Sequence, residues 1–284
     1  MRRSACIPLC NTWAGKVAAS ALCGPHLPGN LREAVSAASP SLSLCRGGRA
    51  PTLPIRHALS RIFLNRLQNQ PAVEDTVVVI DVLRSFTTAA VALAKGASAI
   101  YPVEGVAAAM ALAGRIQHSV SVGAVVGGDP APGFDFGNSP SQLMQAELAG
   151  KTVVMSTAAG VRGLQGFRRA RNLYAASLVC ARATAEAIRA ARAEEVCFVI
   201  TGEWVDRDGD EDIACADYIE ALLRGDQAAP EKFAQRVRDS DFGRRFAAGT
   251  WPNLPRADLE LAAHPDLFGF AMRVRPEGDH LVIR

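Results

Sequence analysis

The chain has little of what marks proteins that bind nucleic acid or span membranes. Aromatic residues make up 6% of its 284 residues, and the net charge is only +3. These values do not indicate a basic surface with stacking platforms for nucleic acid. No apolar run approaches the roughly 20 residues that a membrane-spanning helix requires. We therefore expect neither a nucleic acid nor a membrane as a partner.

The cysteines also lack the spacings of a metal site or a redox motif. None of the seven forms a Cys-x-x-Cys pair, and no histidine lies near them at the spacing of zinc ligands. Four fall in the first fifty residues and three in apolar stretches of the main body: Cys6, Cys10, Cys23, Cys45, Cys180, Cys197 and Cys215. Free thiols in a reducing compartment are the simplest interpretation, and they predict a cytoplasmic protein.

The segment 1–52 differs in composition from the rest of the chain. It is rich in Arg, Ala, Ser, Pro and Gly, and Glu33 is its only acidic residue. An Arg-rich, acid-poor start is typical of transit peptides, but its prolines interrupt any long helix. It also lacks the continuous apolar core and small-residue cleavage site of a secretory signal. We predict a poorly ordered extension over 1–52 and one folded domain over 53–284.

From residue 55 onward, strand and helix signals alternate. Short β-branched apolar runs predict buried strands, which we place at 76–81, 99–103, 122–126, 151–156, 173–176 and 195–201. Alanine-rich or amphipathic segments predict helices, which we place at 85–95, 106–117, 141–148, 161–169, 183–193 and 211–224. This alternation predicts an α/β layered fold with a largely parallel or mixed sheet. Ligands of such sheets bind where strands end and helices begin.

The first such junction contains Asp81 and Arg84, in Val-Val-Val-Ile-Asp-Val-Leu-Arg. A carboxylate directly after a buried strand can reach a hard cation or a phosphate. An arginine three residues later, near the start of a helix, can bind two phosphate oxygens at once. The alternative is an Asp that caps the helix beside a solvated Arg.

One known class of phosphatase places a nucleophilic Asp directly after a strand. The haloacid-dehalogenase phosphatases require a second Asp two residues later as the general acid, and here that position is Leu83. A covalent phosphoaspartate route is therefore not favoured.

The loop Gly133-Phe-Asp-Phe-Gly-Asn-Ser-Pro140 concentrates polar side chains between glycines. Asp135, Asn138 and Ser139 are candidate ligands or donors within one turn. Asn138 or Ser139 could equally cap a helix that begins at Pro140, because proline suits the first helical turn.

The third junction is Lys151-Thr-Val-Val-Met-Ser-Thr-Ala-Ala-Gly-Val-Arg162. Ser156, Thr157 and the backbone of Gly160 could bind phosphate oxygens at the start of the next helix. It is not a Walker A loop, because Lys-Ser/Thr does not follow the glycine.

The last strong strand runs into Thr201-Gly-Glu203, and five carboxylates follow within 206–212. Such a run is most often a solvated acidic loop. However, Glu211 and Asp212 open a helix, where carboxylates stabilise the helix dipole or hold a metal ion.

Together these strings resemble the 2-phosphosulfolactate phosphatase (ComB-like) family, and the likeness runs from about Val73 to the C-terminus. Further matching strings are Phe242-Gly-Arg-Arg and Asp266-Leu-Phe-Gly. The resemblance implies a three-layer α/β/α architecture and Mg²⁺-dependent removal of phosphate from a sulfonated lactate ester. The product of that reaction, sulfolactate, leads toward coenzyme M in methanogens.

The resemblance also implies roles for individual residues. The implied catalytic residues are Asp81, Arg84 and Asp212; the implied substrate-binding residues are Asn138, Ser139, Thr157, Gly160 and Arg162; the implied metal ligands are Asp81, Asp129, Glu211 and Asp212.

Two strings depart from the family pattern. Gly128-Asp-Pro130 replaces Gly-Glu-Arg, so a permanently charged donor is missing. Thr157-Ala-Ala-Gly-Val161 replaces Thr-Thr-Asn-Gly-Thr, which removes two hydroxyls and an amide. The leading hypothesis is a Mg²⁺-dependent phosphatase of a small anionic ester. The alternatives are a weakly active member that binds an anionic metabolite and a phosphatase of a different small ester. The sequence is compatible with a homo-oligomer.

Overall fold

The computed structural model describes residues 57–67, 73, 75–125 and 128–284. The predicted extension over 1–52 and its four cysteines lie outside these residues. The three remaining cysteines, Cys180, Cys197 and Cys215, are buried free thiols, as expected. Among the helices of the described part, none combines the length and apolarity needed to cross a membrane.

Strands and helices alternate along most of the described chain. The strands are β1 (Ala58–Phe63), β2 (Thr76–Ile80), β3 (Ala99–Pro102), β4 (Ser119–Gly123), β5 (Thr152–Ser156), β6 (Asn172–Ala176), β7 (Glu195–Ile200), β8 (Met272–Glu277) and β9 (His280–Ile283). The α-helices are α1 (Ser85–Ala94), α2 (Val106–Ala113), α3 (Pro140–Leu143), α4 (Gly160–Gly166), α5 (Ala181–Ala190), α6 (Asp210–Arg224), α7 (Pro230–Asp239), α8 (Asp241–Ala248) and α9 (Arg256–Ala262). Short 3₁₀ helices follow β1 (Leu64–Arg66) and β6 (Leu178–Cys180).

The strands of the described residues form one mixed sheet in the order β1-β7-β2-β6-β8-β9-β3-β5-β4. Strands β1, β7, β2 and β6 run parallel to one another, and so do β3, β5 and β4. The antiparallel hairpin β8–β9 lies between the two groups, with β8 antiparallel to β6 and β9 antiparallel to β3.

Strand β2 shows why the sheet lies between two layers of helices. Its Val77 and Val79 belong to one hydrophobic core, and its Val78 and Ile80 belong to a second core on the opposite face. The first core includes side chains of α1 and α4, and the second includes side chains of α5 and α6. Because both faces are buried, the strand sequence is continuously apolar rather than alternating. The three-layer α/β/α architecture is confirmed.

The predicted elements are present, with shifted bounds. Helix α2, expected over 106–117, ends at Ala113 before a glycine. Helix α3, expected over 141–148, is a single turn, after which Ala146 N–H donates to Leu143 O in a separate turn. Strand β4 begins at Ser119, three residues before the prediction. Strand β1 and all elements after residue 225 were not predicted.

Candidate active site

A cavity of about 580 Å³ lies where four strands end. Asp81 follows β2, Ala124 follows β4, Thr157 follows β5 and Thr201 follows β7, and all four residues line the cavity. The four strand ends therefore converge on one cavity, in the place where ligands of parallel sheets usually bind, and the use of this cavity for chemistry stays a prediction.

Three carboxylates form a buried cluster beside this cavity, here called the carboxylate cluster: Asp81, Glu211 and Asp212. Their exposed fractions are 6%, 0% and 1%. Gly202, after β7, packs against both Glu211 and Asp212, since a Cβ atom there would lie 2.5 Å from Glu211 Oε1 and 3.1 Å from Asp212 Oδ2. Of the three, Asp81 lines the cavity. The cluster thus brings the end of β2 next to the start of α6, although Val82 and Asp212 lie 130 residues apart in the chain.

Backbone N–H groups hold Asp212 in place. Its Oδ1 accepts from Val82 N–H at 2.8 Å, and its Oδ2 accepts from Thr201 N–H at 3.0 Å and Gly202 N–H at 2.7 Å. Asp212 therefore fastens the loops after β2 and β7 to each other. This contact set gives it a positioning role that the sequence did not predict.

Asp81 contacts the starts of two helices, α1 and α4. Its Oδ1 accepts from Ser85 N–H at 2.9 Å, so it satisfies a backbone N–H in the first turn of α1, although the N-cap residue is Arg84 and not Asp81. A Cβ atom at Gly160 would lie 2.9 Å from Asp81 Oδ2, so glycine is required where α4 approaches this carboxylate. Gly160 thus contacts Asp81 and is not itself part of the cavity lining.

Glu211 has no hydrogen-bond partner for either carboxylate oxygen among the described residues. Burial raises its pKa to about 7, against smaller opposing effects of its own backbone N–H, the Arg207 charge and the Ser240 hydroxyl, although neither the N–H nor the hydroxyl has the geometry of a hydrogen bond to it. Burial likewise raises the pKa of Asp81. The pKa of Asp212 is raised well above its ordinary value by burial and then by the charges of Glu211 and Asp81. Either protonation or a bound cation would therefore relieve the repulsion between these buried carboxylates.

These pKa shifts predict how stability depends on pH in the metal-free protein. Between the ordinary Glu pKa of 4.5 and the folded-state value of about 7, folded Glu211 binds more protons than unfolded Glu211. Its stabilising contribution is therefore complete below pH 4.5 and is lost as the pH rises through about 7. One proton gives a slope of up to about 1.4 kcal/mol per pH unit. The measurement is urea unfolding in EDTA at several pH values. The free energy of unfolding should fall less steeply with pH in Glu211→Gln than in the parent protein, and equal slopes would contradict the prediction.

Arginines supply positive charge around the same cavity. Arg162, Arg207 and Arg245 line it. Arg162 donates from Nη2 to Asn65 Oδ1, while its buried Nε–H has no partner among the described residues. Arg245 pairs with Asp206 at 2.9 Å. Arg162 thus lines the cavity, and its contact with an anionic ligand stays a prediction.

Arg84 lines the cavity, but its guanidinium is engaged inside the protein. It is 4% exposed, pairs with Asp258 Oδ2 at 2.9 Å and donates to Asn253 O at 2.9 Å. Its guanidinium carbon also lies 5.3 Å from the centre of the Phe246 ring. The alternative of a solvated arginine is wrong, and direct contact with a phosphate stays a prediction.

The loop before α3 divides its polar residues between two tasks. Asp135 accepts from the backbone N–H and the hydroxyl of Ser121 at 2.8 and 2.7 Å, so it fastens the loop to β4. Ser139 caps α3 by accepting from Gln142 N–H and donates to Asp258 at 2.8 Å. Asn138 lines the cavity, and its buried Oδ1 has no partner among the described residues.

The turn after β5 presents little polarity to the cavity. Thr157 accepts from the Ser85 hydroxyl at 3.1 Å, and Ala158 and Ala159 line the cavity beside it. Val161, the third residue of this turn that differs from the family pattern, is fully buried and does not line the cavity. In this turn, only Ala158 and Ala159 therefore change the cavity surface.

The four predicted metal ligands do not come together as a ready-made centre. Asp129 is exposed in the loop after β4 and accepts a hydrogen bond from Asn253. Within the ranges that the structure describes, no three Asp, Glu, His or Cys side chains lie close enough to hold a metal ion. One reason is that the oxygens of Asp212 face backbone N–H groups and are not directed toward a shared metal position. The unpartnered Glu211 carboxylate beside Asp81 and Asp212 nevertheless has the donor chemistry that a hard cation prefers.

Several residues of the site were not singled out from the sequence. Arg207 was hidden within the acidic run, and Arg245 was quoted only as part of a matching string. Asp258 lies in an unpredicted helix. Trp204 and Trp251 line the cavity and could have been noted as two tryptophans in polar segments.

Comparison with known proteins agrees with the resemblance seen in the motifs. The family model for 2-phosphosulpholactate phosphatase matches residues 62–244. A Synechococcus protein named "Probable 2-phosphosulfolactate phosphatase" is 34% identical over 208 residues, which cover 72% of this chain and 81% of that protein. A Carboxydothermus hydrogenoformans protein with the same name is 43% identical over 124 residues, which cover 44% of this chain and 50% of that protein. A similarly named Thermus thermophilus protein is 38% identical over 133 residues, or 46% of this chain and 55% of that protein. The chain thus spans about half the length of these last two relatives.

Proposed function

The chain belongs to the 2-phosphosulfolactate phosphatase family, and we propose that it hydrolyses a small anionic phosphate monoester. The first candidate is 2-phosphosulfolactate, which would give sulfolactate and phosphate. The observation that carries the proposal is the carboxylate cluster, whose Asp81 lines a cavity that also contains Arg162 and Arg207.

The residues present suit hydrolysis by water. The oxygen of a water molecule attacks phosphorus, the ester P–O bond breaks, and the leaving oxygen takes up a proton. Arg162, with its unpartnered Nε–H, would bind a phosphate oxygen. Asp81, held by Ser85 and facing the cavity, would orient the water or exchange a proton with it.

We further propose that Mg²⁺ is required and that Asp81 and Glu211 would bind it, while Asp212, whose oxygens accept backbone N–H groups, would add negative charge beside it. The support is electrostatic, because three buried carboxylates repel one another and Glu211 has no donor. A bound Mg²⁺ would supply charge stabilisation for the phosphoryl oxygens. Asp129 is not included, because its exposed carboxylate contacts Asn253 instead.

The test is phosphate release from 2-phosphosulfolactate with Mg²⁺ or with EDTA. We expect removal of Mg²⁺ to lower the rate about tenfold or more, equivalent to about 1.4 kcal/mol of barrier. A second readout is independent of turnover. Mg²⁺ should raise the melting temperature of the parent protein but not that of Glu211→Gln. Equal rates in Mg²⁺ and EDTA, together with equal melting shifts, would contradict the metal proposal.

A second candidate is a weakly active member that binds an anionic metabolite. Ala158 and Ala159 favour it, because they line the cavity where the family has polar side chains. Release of phosphate from no ester, together with calorimetric binding of sulfolactate, would support this candidate over the phosphatase.

We also propose a cytoplasmic location. The support is the set of buried free thiols, because reduced cysteines are typical of reducing compartments.

A further inference from the structure

Exposed apolar side chains concentrate at the cavity described above. Among the described residues, five large apolar side chains are exposed: Met110, Val125, Trp204, Val205 and Trp251. Four of them, all except Met110, line the cavity. Their exposed fractions reach 50% for Trp204, 53% for Trp251 and 96% for Val205. We call these four residues the apolar rim.

Single exposed apolar residues need no explanation, but a contiguous group at a cavity does. A tryptophan side chain has about 150–250 Å² of surface, and about half of it is exposed in each of Trp204 and Trp251, so together they still provide a large contact area. The rim residues and Asp81 line the same cavity, so one molecule can contact both the rim and the end of β2. This shared cavity favours part of the substrate as the occupant of the rim.

Local hydrogen bonds hold the rim in position. Trp204 and Arg207 exchange two backbone hydrogen bonds, of 3.1 and 3.2 Å, which form a tight turn with Val205 at its tip. In the segment that carries Trp251, Leu254 N–H donates to Trp251 O at 3.0 Å. Both tryptophans are therefore presented by closed turns.

Near the rim, the arginines of the cavity already contact other side chains, since Asp206 also lies 3.9 Å from Arg207, which leaves Arg162 as the arginine for the phosphate. Asp206 pairs with Arg245 at 2.9 Å, so the charge of this arginine is already balanced. The guanidinium carbon of Arg207 lies 4.6 Å from the centre of the Phe242 ring, and Ala158 and Ala159 provide no donors from their side chains. A cavity of about 580 Å³ also falls within the range that accommodates drug-sized ligands.

We propose that the preferred substrate is a phosphate ester that carries an apolar, planar group on the carbon next to the esterified one. This inference rests on the proposed phosphatase function. The phosphate would lie toward Asp81 and Arg162, and the planar group would pack against Trp204 and Trp251. The reaction is the same hydrolysis, with the P–O bond broken by water and the proton passed to the leaving oxygen.

Three esters of one skeleton test this preference. They are 2-phospholactate, 2-phosphosulfolactate and 2-phospho-3-phenyllactate, which differ only in the substituent on the third carbon. The phenyl ester should have the highest kcat/KM, about tenfold or more above each of the others, a ratio equivalent to about 1.4 kcal/mol. A sulfonate ester that reacts as fast as the phenyl ester overturns the proposal.

Rim variants test which residues cause the preference. In Trp204→Ala and in Trp251→Ala, the ratio of kcat/KM for the phenyl ester to that for 2-phospholactate should fall by about fivefold or more, because apolar contact is lost. Met110→Ala is the matched control, since Met110 is 39% exposed but does not line the cavity, and its ratio should equal that of the parent. Equal ratios in all four proteins overturn the proposal.

Direct binding separates this proposal from the proposed function. If no ester releases phosphate, the phosphatase proposal fails, but calorimetric titration still compares the phenyl ester with 2-phospholactate. Binding of the phenyl ester about tenfold more tightly, lost in Trp204→Ala, supports the apolar site. Equal affinities overturn it and leave the rim as a surface for a protein partner.

Discussion

Replacement of Asp81 by asparagine is expected to lower kcat/KM for phosphate release at least about 100-fold, the scale of effect of a proton-transferring residue. The asparagine would keep the shape of the side chain, and its amide oxygen could still accept from Ser85 N–H. It could neither take up a proton nor bring a negative charge to the cavity. The measurement is kcat/KM for whichever ester the parent protein hydrolyses fastest.

The same replacement should not destabilise the fold. Burial raises the pKa of Asp81, which means that its charged form is unfavourable in the folded protein. Asp81→Asn removes this cost and the repulsion with Asp212, so the melting temperature should stay constant or rise. A residue that only supports the fold would behave in the opposite way, with loss of stability and activity together.

Asp217→Asn is the matched control for Asp81→Asn. Asp217 lies on α6, as Asp212 does, but it pairs with Arg61 and Arg236 and does not line the cavity. Its kcat/KM should stay within about twofold of the parent value, because partly exposed ion pairs contribute little to the fold and this one is remote from the site. If Asp81→Asn retains full activity, Asp81 has no part in the mechanism.

The parts of the site that could be predicted from sequence are those encoded by local patterns. Asp81 directly follows a run of apolar β-forming residues, and Glu211 and Asp212 begin a helix that ends at a glycine. Such features depend on a few neighbouring residues, so the sequence places them correctly. That these three carboxylates form one cluster depended on the resemblance, because the residues are distant in the chain.

The parts that could not be predicted depend on long-range packing. Strand β1 lies at the sheet edge with mixed exposure, so it lacks the continuous apolar run of a central strand such as β2. The hairpin β8–β9 inserts between two parallel groups, which no local pattern indicates. Arg84 was expected near a phosphate because of its place in the chain, whereas its position is fixed by Asp258, 174 residues away.

Asp258 connects three segments of the chain through one buried carboxylate. It is 0% exposed and pairs with Arg84 at 2.9 Å. Its other oxygen accepts from the Ser139 hydroxyl at 2.8 Å and from the Ser141 N–H and hydroxyl at 2.9 and 2.6 Å. Helix α9, the loop before α3 and the start of α1 are thus held together at the cavity wall.

We therefore expect Asp258→Ala to lower the free energy of unfolding by about 3–5 kcal/mol, the cost of leaving a buried charge without its partner. The alanine leaves the Arg84 cation with carbonyl oxygens and an aromatic ring as its remaining neighbours, and it leaves Ser139 and Ser141 without their acceptor. The measurement is urea unfolding at a temperature where the variant is still folded.

A double-mutant cycle separates the ion pair from the rest of the network. In Arg84→Met combined with Asp258→Ala, the buried cation is gone, so the combined loss of stability should be smaller than the sum of the two single losses by about 1–3 kcal/mol. Glu260→Ala is the control on the same helix, because Glu260 forms an exposed pair with Arg256 at 3.4 Å. The free energy of unfolding of Glu260→Ala should be lower than that of the parent protein by less than about 1 kcal/mol. If Asp258→Ala is no more destabilising than Glu260→Ala, the buried pair does not hold this wall of the cavity, and the position of Arg84 must be set by its carbonyl and aromatic contacts alone.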